Sequence, residues 1–169
     1  DKPRTYETDG PAGFVNFMFQ KEFFGTAAYC SEVMVGQTYN QELAEEWGTV
    51  VGEEGLWGDT NMNSPYSGWY APGINIHRSP FGGRNFEYYS EDSLFSGKMA
   101  AAQIRGTRKK GVYCFAKHFA LNEQETHRQS NGDISYVTEQ AMREIYLRPF
   151  EIAVKEGDCI GIMTSFNRI

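Results

Sequence analysis

The chain has 169 residues, 40% of them hydrophobic and 15% aromatic, enough apolar material to build the core of one ordinary globular domain. Twenty-two acidic against sixteen basic side chains leave a formal charge of −6, and the one short basic cluster, Arg108-Lys109-Lys110, argues against a broad cationic surface for nucleic acid. No run approaches the roughly 20 apolar residues of a membrane span, and Cys30, Cys114 and Cys159 form no CxxC pair and read as small buried hydrophobes.

Taken in order, "TYETDG" is a candidate first strand, and 11–31 is loop-like. "SEVMVGQT" is rich in Val and reads as a second strand. Asn40 can cap a helix through "QELAEEWGTVVGEEGLW", where Leu43, Trp47, Val50 and Val51 share one face at i, i+4, i+7 and i+8. A second loop, 58–68, is dense in turn formers, and "GWYAPGINI" follows as a strand. Ser90 can cap the next helix, "EDSLFSGKMAAAQIRGTRKK", whose acids lie in its first turn, whose cations lie in its last, and which Gly111 stops. "GVYCFAKHF" is a strand, Thr138 opens a helical stretch that Pro149 must kink or split, and "CIGIMTSF" closes as a strand.

The runs at 112–116 and 160–163 are apolar almost without alternation, as in parallel strands covered on both faces. Strands alternate with helices, which predicts an α/β fold with a largely parallel sheet of about five strands. A doubly wound sheet and a (β/α)8 barrel both fit, but a whole barrel needs about 250 residues, so a barrel here would be incomplete. The first residue is Asp and no leader segment precedes it, so the chain is expected to begin inside a domain and localisation is unreadable.

Ligands of parallel α/β folds bind where the strands end, and those ends are unusually polar here. Asp9 follows the first strand; His77, Arg78 and Arg84 follow "GWYAPGINI"; Lys117, His118 and Arg128 follow "VYCFA"; Phe166 and Asn167 follow "CIGIMT". Carboxylate, guanidinium, ammonium and imidazole gathered on one rim suit a polyhydroxylated ligand, held by charge-assisted and bidentate hydrogen bonds. "FGGRNF" is neither GxGxxG nor a P-loop, there is no HExxH or paired His, and GxSxG is missing. Neither a metal nor a cofactor is expected.

"TDGPAG" at 8–13, "APGINIHRSPFGGRNFEYYSED" at 71–92, "KHFALNEQETHR" at 117–128, "AMREIYLRPFEIAVKEG" at 141–157 and "IMTSFNRI" at 162–169 together resemble the amino-terminal barrel of glycoside hydrolase family 3, the β-glucosidase-type enzymes. The likeness runs in order along nearly the whole chain. It implies an incomplete (β/α)8 TIM-like barrel, truncated before its later strands and before a second α/β sandwich domain. It also implies a retaining mechanism with two carboxyl groups about 5 to 5.5 Å apart. In that family the nucleophile is an Asp on a later strand, usually followed by Trp, and the acid/base is in most members a Glu of the second domain. Both are expected beyond Ile169, so no catalytic residue is assigned within the chain. This chain alone would be inactive and would need the missing part of its own polypeptide as partner.

Carried over by motif, Asp9, Arg84, Lys117 and His118 would bind the hydroxyls of a terminal β-D-glucosyl residue in a β-glucoside or oligosaccharide, with Arg128 completing the wall. Neighbouring strand side chains point oppositely, so Lys117 and His118 can both face a ligand only with a special backbone, and a non-proline cis peptide is expected near 117–119. Phe166 stands where many relatives have Tyr, beside the nucleophile. The resemblance departs from the N-acetylglucosaminide-specific subgroup, whose KHFPGHG stretch supplies its acid, because KHF here continues "ALNEQETHR". A non-catalytic sugar-binding relative, a β-xylosidase of the same family and a nucleotide-binding domain are the alternatives.

Each residue also has a plainer role. Asp9 beside Gly-Pro suits a turn; Arg84 can pair with Glu87 or Asp92; Arg128 can be a solvated loop cation; and Phe166 can be core. Glu87, Glu91 and Asp92 are expected to hold their loop and cap the following helix. His127 is expected to be exposed and Trp47 to be core, whereas Trp57 and Trp69 are conceivable sugar platforms.

Overall fold

The computed structural model describes residues 6–14, 26–57, 65–128 and 132–169. Parts of the two expected loops, 15–25 and 58–64, lie outside the described residues. Four strands form one parallel sheet in chain order: β1 (Tyr6–Asp9), β2 (Tyr66–Tyr70), β3 (Tyr113–Phe119) and β4 (Gly161–Thr164). Helices α1 (Glu32–Gln37), α2 (Gln41–Trp57), α3 (Ser93–Arg108), α4 (Glu139–Ala141) and α5 (Arg148–Gly157) fill the connections, so the α/β expectation holds, with four strands among the described residues where about five were expected.

The missing strand is the run at 31–38, which is helical from Glu32 to Gln37. Period alone does not separate a short apolar run into strand or helix. Packing does so here, because Val35 is buried and a Cβ on Gly36 would lie 2.6 Å from the Tyr89 carbonyl oxygen. The strand read in "GWYAPGINI" likewise ends at Tyr70, and its tail joins the sheet only through the single bridge Gly73↔Lys117.

Helix α2 keeps its predicted span, and the Asn40 carboxamide accepts the Leu43 N–H at 3.0 Å. Its buried stripe is Ala44, Trp47, Gly48, Val51, Gly52 and Gly55, whereas Leu43 and Val50, expected on the core face, are exposed. The stripe is set by α3: a Cβ on Gly48 would lie 2.1 Å from the Gln103 carbonyl, and one on Gly106 2.0 Å from that of Glu45. The two helices cross backbone to backbone, so small residues take the closest contact, and Leu43 and Val50 turn outward.

Asp92, not Ser90, caps α3, accepting the Phe95 N–H at 2.6 Å. Thr138 caps α4, which passes through a π-helical turn (Met142–Tyr146) into α5, with Pro149 in the first turn of α5. Proline is tolerated in that position because its missing N–H has no helical acceptor there.

The core lies between the sheet and α2 and α3. Trp47 of α2 stands edge-on to Trp69 of β2, ring centroids 5.8 Å apart, with Met99 and Ile104 of α3 beside them. Trp69 is fully buried and its indole N–H donates to the Gly10 carbonyl at 2.9 Å, so it is core and not a sugar platform. Burial alternates along β3 from Tyr113 to Ala116, against the expectation of cover on both faces, before Lys117 and His118 are both buried. The open face carries Glu7, Tyr70, Tyr113 and Phe115, linked by hydrogen bonds to Glu7 and by edge-on rings. At the β4 side of the sheet, Phe119, Leu147, Phe150, Val154 and Ile162 line an apolar groove of about 410 Å³. No helix among the described residues is long and apolar enough to cross a membrane.

Candidate functional site

The polar strand endings meet at the carboxyl edge of the sheet. Lys117, at the end of β3, is 1% exposed, and an ammonium so deeply buried needs counter-charges. Its Nζ donates to Asp9 Oδ1 at 2.5 Å, from the end of β1, and lies 3.5 Å from Glu87 Oε2. Glu87, buried on the 3₁₀ turn Asn85–Glu87, also pairs with Arg84. Arg84 reaches Glu125 at 3.4 Å, and Glu125 receives Arg128 at 3.0 Å. The result is an unbranched chain of six alternating charges, Asp9, Lys117, Glu87, Arg84, Glu125 and Arg128, that sums to zero. Arg128 ends it with its guanidinium 5.2 Å from the centroid of the Phe166 ring.

His118 stands beside this chain, almost fully buried. Asn75 clasps its backbone from both sides: Oδ1 accepts the His118 N–H at 2.7 Å and Nδ2 donates to the His118 carbonyl at 2.9 Å. That fixes the orientation of the amide. The imidazole Nδ1 then faces Asn75 Oδ1 at 3.4 Å and the Tyr88 hydroxyl at 3.2 Å, while that hydroxyl donates to the Asn122 carbonyl. Its neighbours accept, so the network assigns the proton to Nδ1 and leaves Nε2 as a hydrogen-bond acceptor. Burial, reinforced by Arg84, Lys117 and Arg128, holds the imidazole pKa down to about 2, so the ring is neutral at any ordinary pH. The Lys117–His118 and Phe119–Ala120 peptide bonds are cis, as expected for this stretch.

The five residues that the resemblance assigns to sugar binding as charged or imidazole groups, Asp9, Arg84, Lys117, His118 and Arg128, come together here, whereas His77 faces the Asn85 carbonyl at 2.8 Å and Arg78 lies over the Tyr146 ring. Phe166 is 73% exposed, which excludes its reading as core, and touches the group only through Arg128. The plainer reading of Arg84, an ion pair with Glu87, is met, but Glu87 also faces Lys117, and that contact was not expected. Sequence reasoning missed Glu125, which joins Arg84 to Arg128. Glu32 was missed as well. It is fully buried behind the group with neither carboxyl oxygen hydrogen-bonded, and burial, with Glu87 adding, pushes its pKa well above the usual range. Among the described residues, no group of three or more His, Cys, Asp or Glu is placed to hold a metal ion.

Three comparisons bear on this geometry. Residues 20–169 match the glycosyl hydrolase family 3 N terminal domain. The chain is 43% identical over 154 residues to beta-glucosidase A of Butyrivibrio fibrisolvens, covering 91% of this chain and 17% of that protein. It is 38% identical over 167 residues to beta-glucosidase B of Emericella nidulans, covering 98% and 18%. Its fold superposes on beta-glucosidase 3B from Thermotoga neapolitana in complex with glucose with a TM-score of 0.85 and 41% identity, covering 97% of this chain and 22% of that one. The chain therefore spans less than a fifth of the length of either curated relative.

Proposed function

Since the chain belongs to glycosyl hydrolase family 3, we propose that its charge chain is the glucosyl-binding wall of a retaining β-glucosidase whose remaining parts lie elsewhere in a longer polypeptide. The observation that carries the reading is the six-membered alternation from Asp9 to Arg128 beside a neutral His118. Asp9 accepts hydroxyl protons, Lys117 and Arg128 donate to hydroxyl oxygens, and His118 Nε2 accepts one more. Each charged group is already oriented by its neighbour, so little reorganisation accompanies sugar binding, and bonds that shorten as the ring flattens favour the transition state.

None of Asp9, Glu87 and Glu125 is an unpaired carboxyl poised as nucleophile or acid, because each is held by a cation. Their roles are binding and bracing. The nucleophilic Asp and the acid/base Glu are assigned beyond Ile169, and residues 1–169 to part of the catalytic barrel. The terminal β-D-glucosyl unit is preferred over xylosyl because both curated relatives and the solved structure carry the name β-glucosidase.

The test uses the longer polypeptide. Lys117→Met and His118→Gln are each expected to lower kcat/KM for an aryl β-glucoside about a hundredfold, as when a bond tightened in the transition state is lost. Unchanged kcat/KM in both variants removes the assignment.

A further inference from the structure

The loops that build the wall have a second side. The segment 121–128 turns Glu125 and Arg128 toward the charge chain and Glu123 away from it. It lies against the 78–84 loop closely enough that a Cβ on Gly82 would come within 2.9 Å of the Glu123 carbonyl oxygen. On that outer side is a groove of about 430 Å³, lined by Arg78, Leu121, Glu123, Asp133, Ile134 and Tyr136 among others. The volume falls within the range of small-ligand sites.

Its lining is chemically mixed. Tyr136 is 88% and Ile134 51% exposed, an aromatic ring and an aliphatic side chain presented to solvent. The same lining carries Arg78, fixed over the Tyr146 ring at 5.6 Å from its centroid, and Glu123. Glu123 Oε1 accepts the Ile76 N–H at 3.5 Å, and the Asn75 side chain also reaches this carboxyl. Asp133 on the lining offsets Arg78 and leaves little net attraction for an anion such as phosphate, and no metal cluster is formed among the described residues. An apolar face together with a carboxyl and a guanidinium suits a ligand with C–H faces and hydroxyl edges.

We propose that this groove binds a further sugar unit of a gluco-oligosaccharide, separately from the glucosyl wall; the proposal rests on the glycosidase reading. The sugar ring lies on Tyr136 and Ile134, and its hydroxyls donate to Glu123 and Asp133 and accept from Arg78. Arg78, which the sequence places on the same rim, forms none of the bonds of the charge chain and has this task instead.

In the longer polypeptide, Tyr136→Ala removes an exposed ring without touching the wall. KM for cellotetraose is expected to rise about fivefold, the worth of one aromatic contact, with KM for 4-nitrophenyl β-glucoside and the kcat of both substrates unchanged. Unaltered kinetics on both substrates overturns the groove as a sugar site. Equal losses on both, with a lowered Tm, also overturn it and make Tyr136 a contact for the rest of the chain. If the parent hydrolyses neither substrate, the glycosidase reading fails by itself. The groove is then decided by calorimetric titration with cellotetraose, where weakening by Tyr136→Ala supports it and absent or equal binding sinks it.

Discussion

Single side chains set the electrostatics of this molecule, and two of them should be visible in its pH response. His118 is neutral in the folded state, with a pKa held near 2 by burial and by Arg84, Lys117 and Arg128, and it takes up a proton near 6.5 when unfolded. The unfolded chain binds the extra proton, so stability due to His118 is complete above 6.5 and declines as pH falls below it. Glu123 behaves oppositely. Burial raises its pKa to about 7 from 4.5, so the folded state holds the extra proton, and stability is lost as pH rises from 4.5 toward 7. The two slopes oppose each other in the window between. Denaturant titrations of parent, His118→Gln and Glu123→Gln across pH 4 to 8 should show differences of opposite slope, each up to about 1.4 kcal/mol per pH unit. Parallel curves would mean that neither group is shifted. The cations of the site were legible in the sequence because Lys, Arg and His at the ends of apolar strands demand a reason. Glu87 was legible as a partner of Arg84 but not of Lys117, and Glu125 was not legible at all, because a carboxylate in a polar loop looks solvated until folding brings a buried ammonium or a guanidinium beside it.

Among the elements, helix α2 shows what periodicity reads well and where it stops. Its limits follow from the Asn40 cap and the 3.6-residue period, but its buried stripe is decided by how closely α3 approaches. That approach depends on Gly48 and Gly106, each set against a carbonyl of the opposite helix. Gly106→Ala and Gly48→Ala should each force the helices apart and cost about 1 to 3 kcal/mol, as overpacking does, despite alanine's better helix propensity. Gly111→Ala is the control for glycine removal as such: nothing lies within 4 Å of its Cβ position, and its φ of +81° confines any loss to backbone strain. Chemical denaturation of the variants measures all three, and a stabilised Gly106→Ala would contradict the close crossing. The helix at 32–37 was illegible for the complementary reason. Six residues carry too little pattern, and its fit against Tyr89 becomes visible only once the fold is assembled.

For the whole molecule, the parallel sheet and the α/β class were readable from the alternation of elements, whereas the number of strands depended on the one misread run. The open sheet face and the apolar groove beside β4 leave Phe119, Val154 and Ile162 exposed among the described residues. In the proposed longer enzyme, later barrel elements pack there. The 169-residue chain expressed alone should therefore bind a hydrophobic dye, associate as concentration rises in light scattering, and lack glucosidase activity. A monomeric, cooperatively melting and active preparation would refute both the fragment reading and the assignment of the chemical groups beyond Ile169.

The six-charge chain has a consequence for which ligands it can tell apart. Because its positive and negative members cancel, it projects little field beyond its own contacts, and capture of an uncharged glucoside should hardly respond to ionic strength. Uronic acids and sugar phosphates would gain no long-range attraction from such a wall, and each extra negative charge would have to shed its water beside Asp9, whose partner Lys117 is already engaged. In the proposed glucosyl site, neutrality of the lining would thus disfavour acidic sugars without any steric barrier.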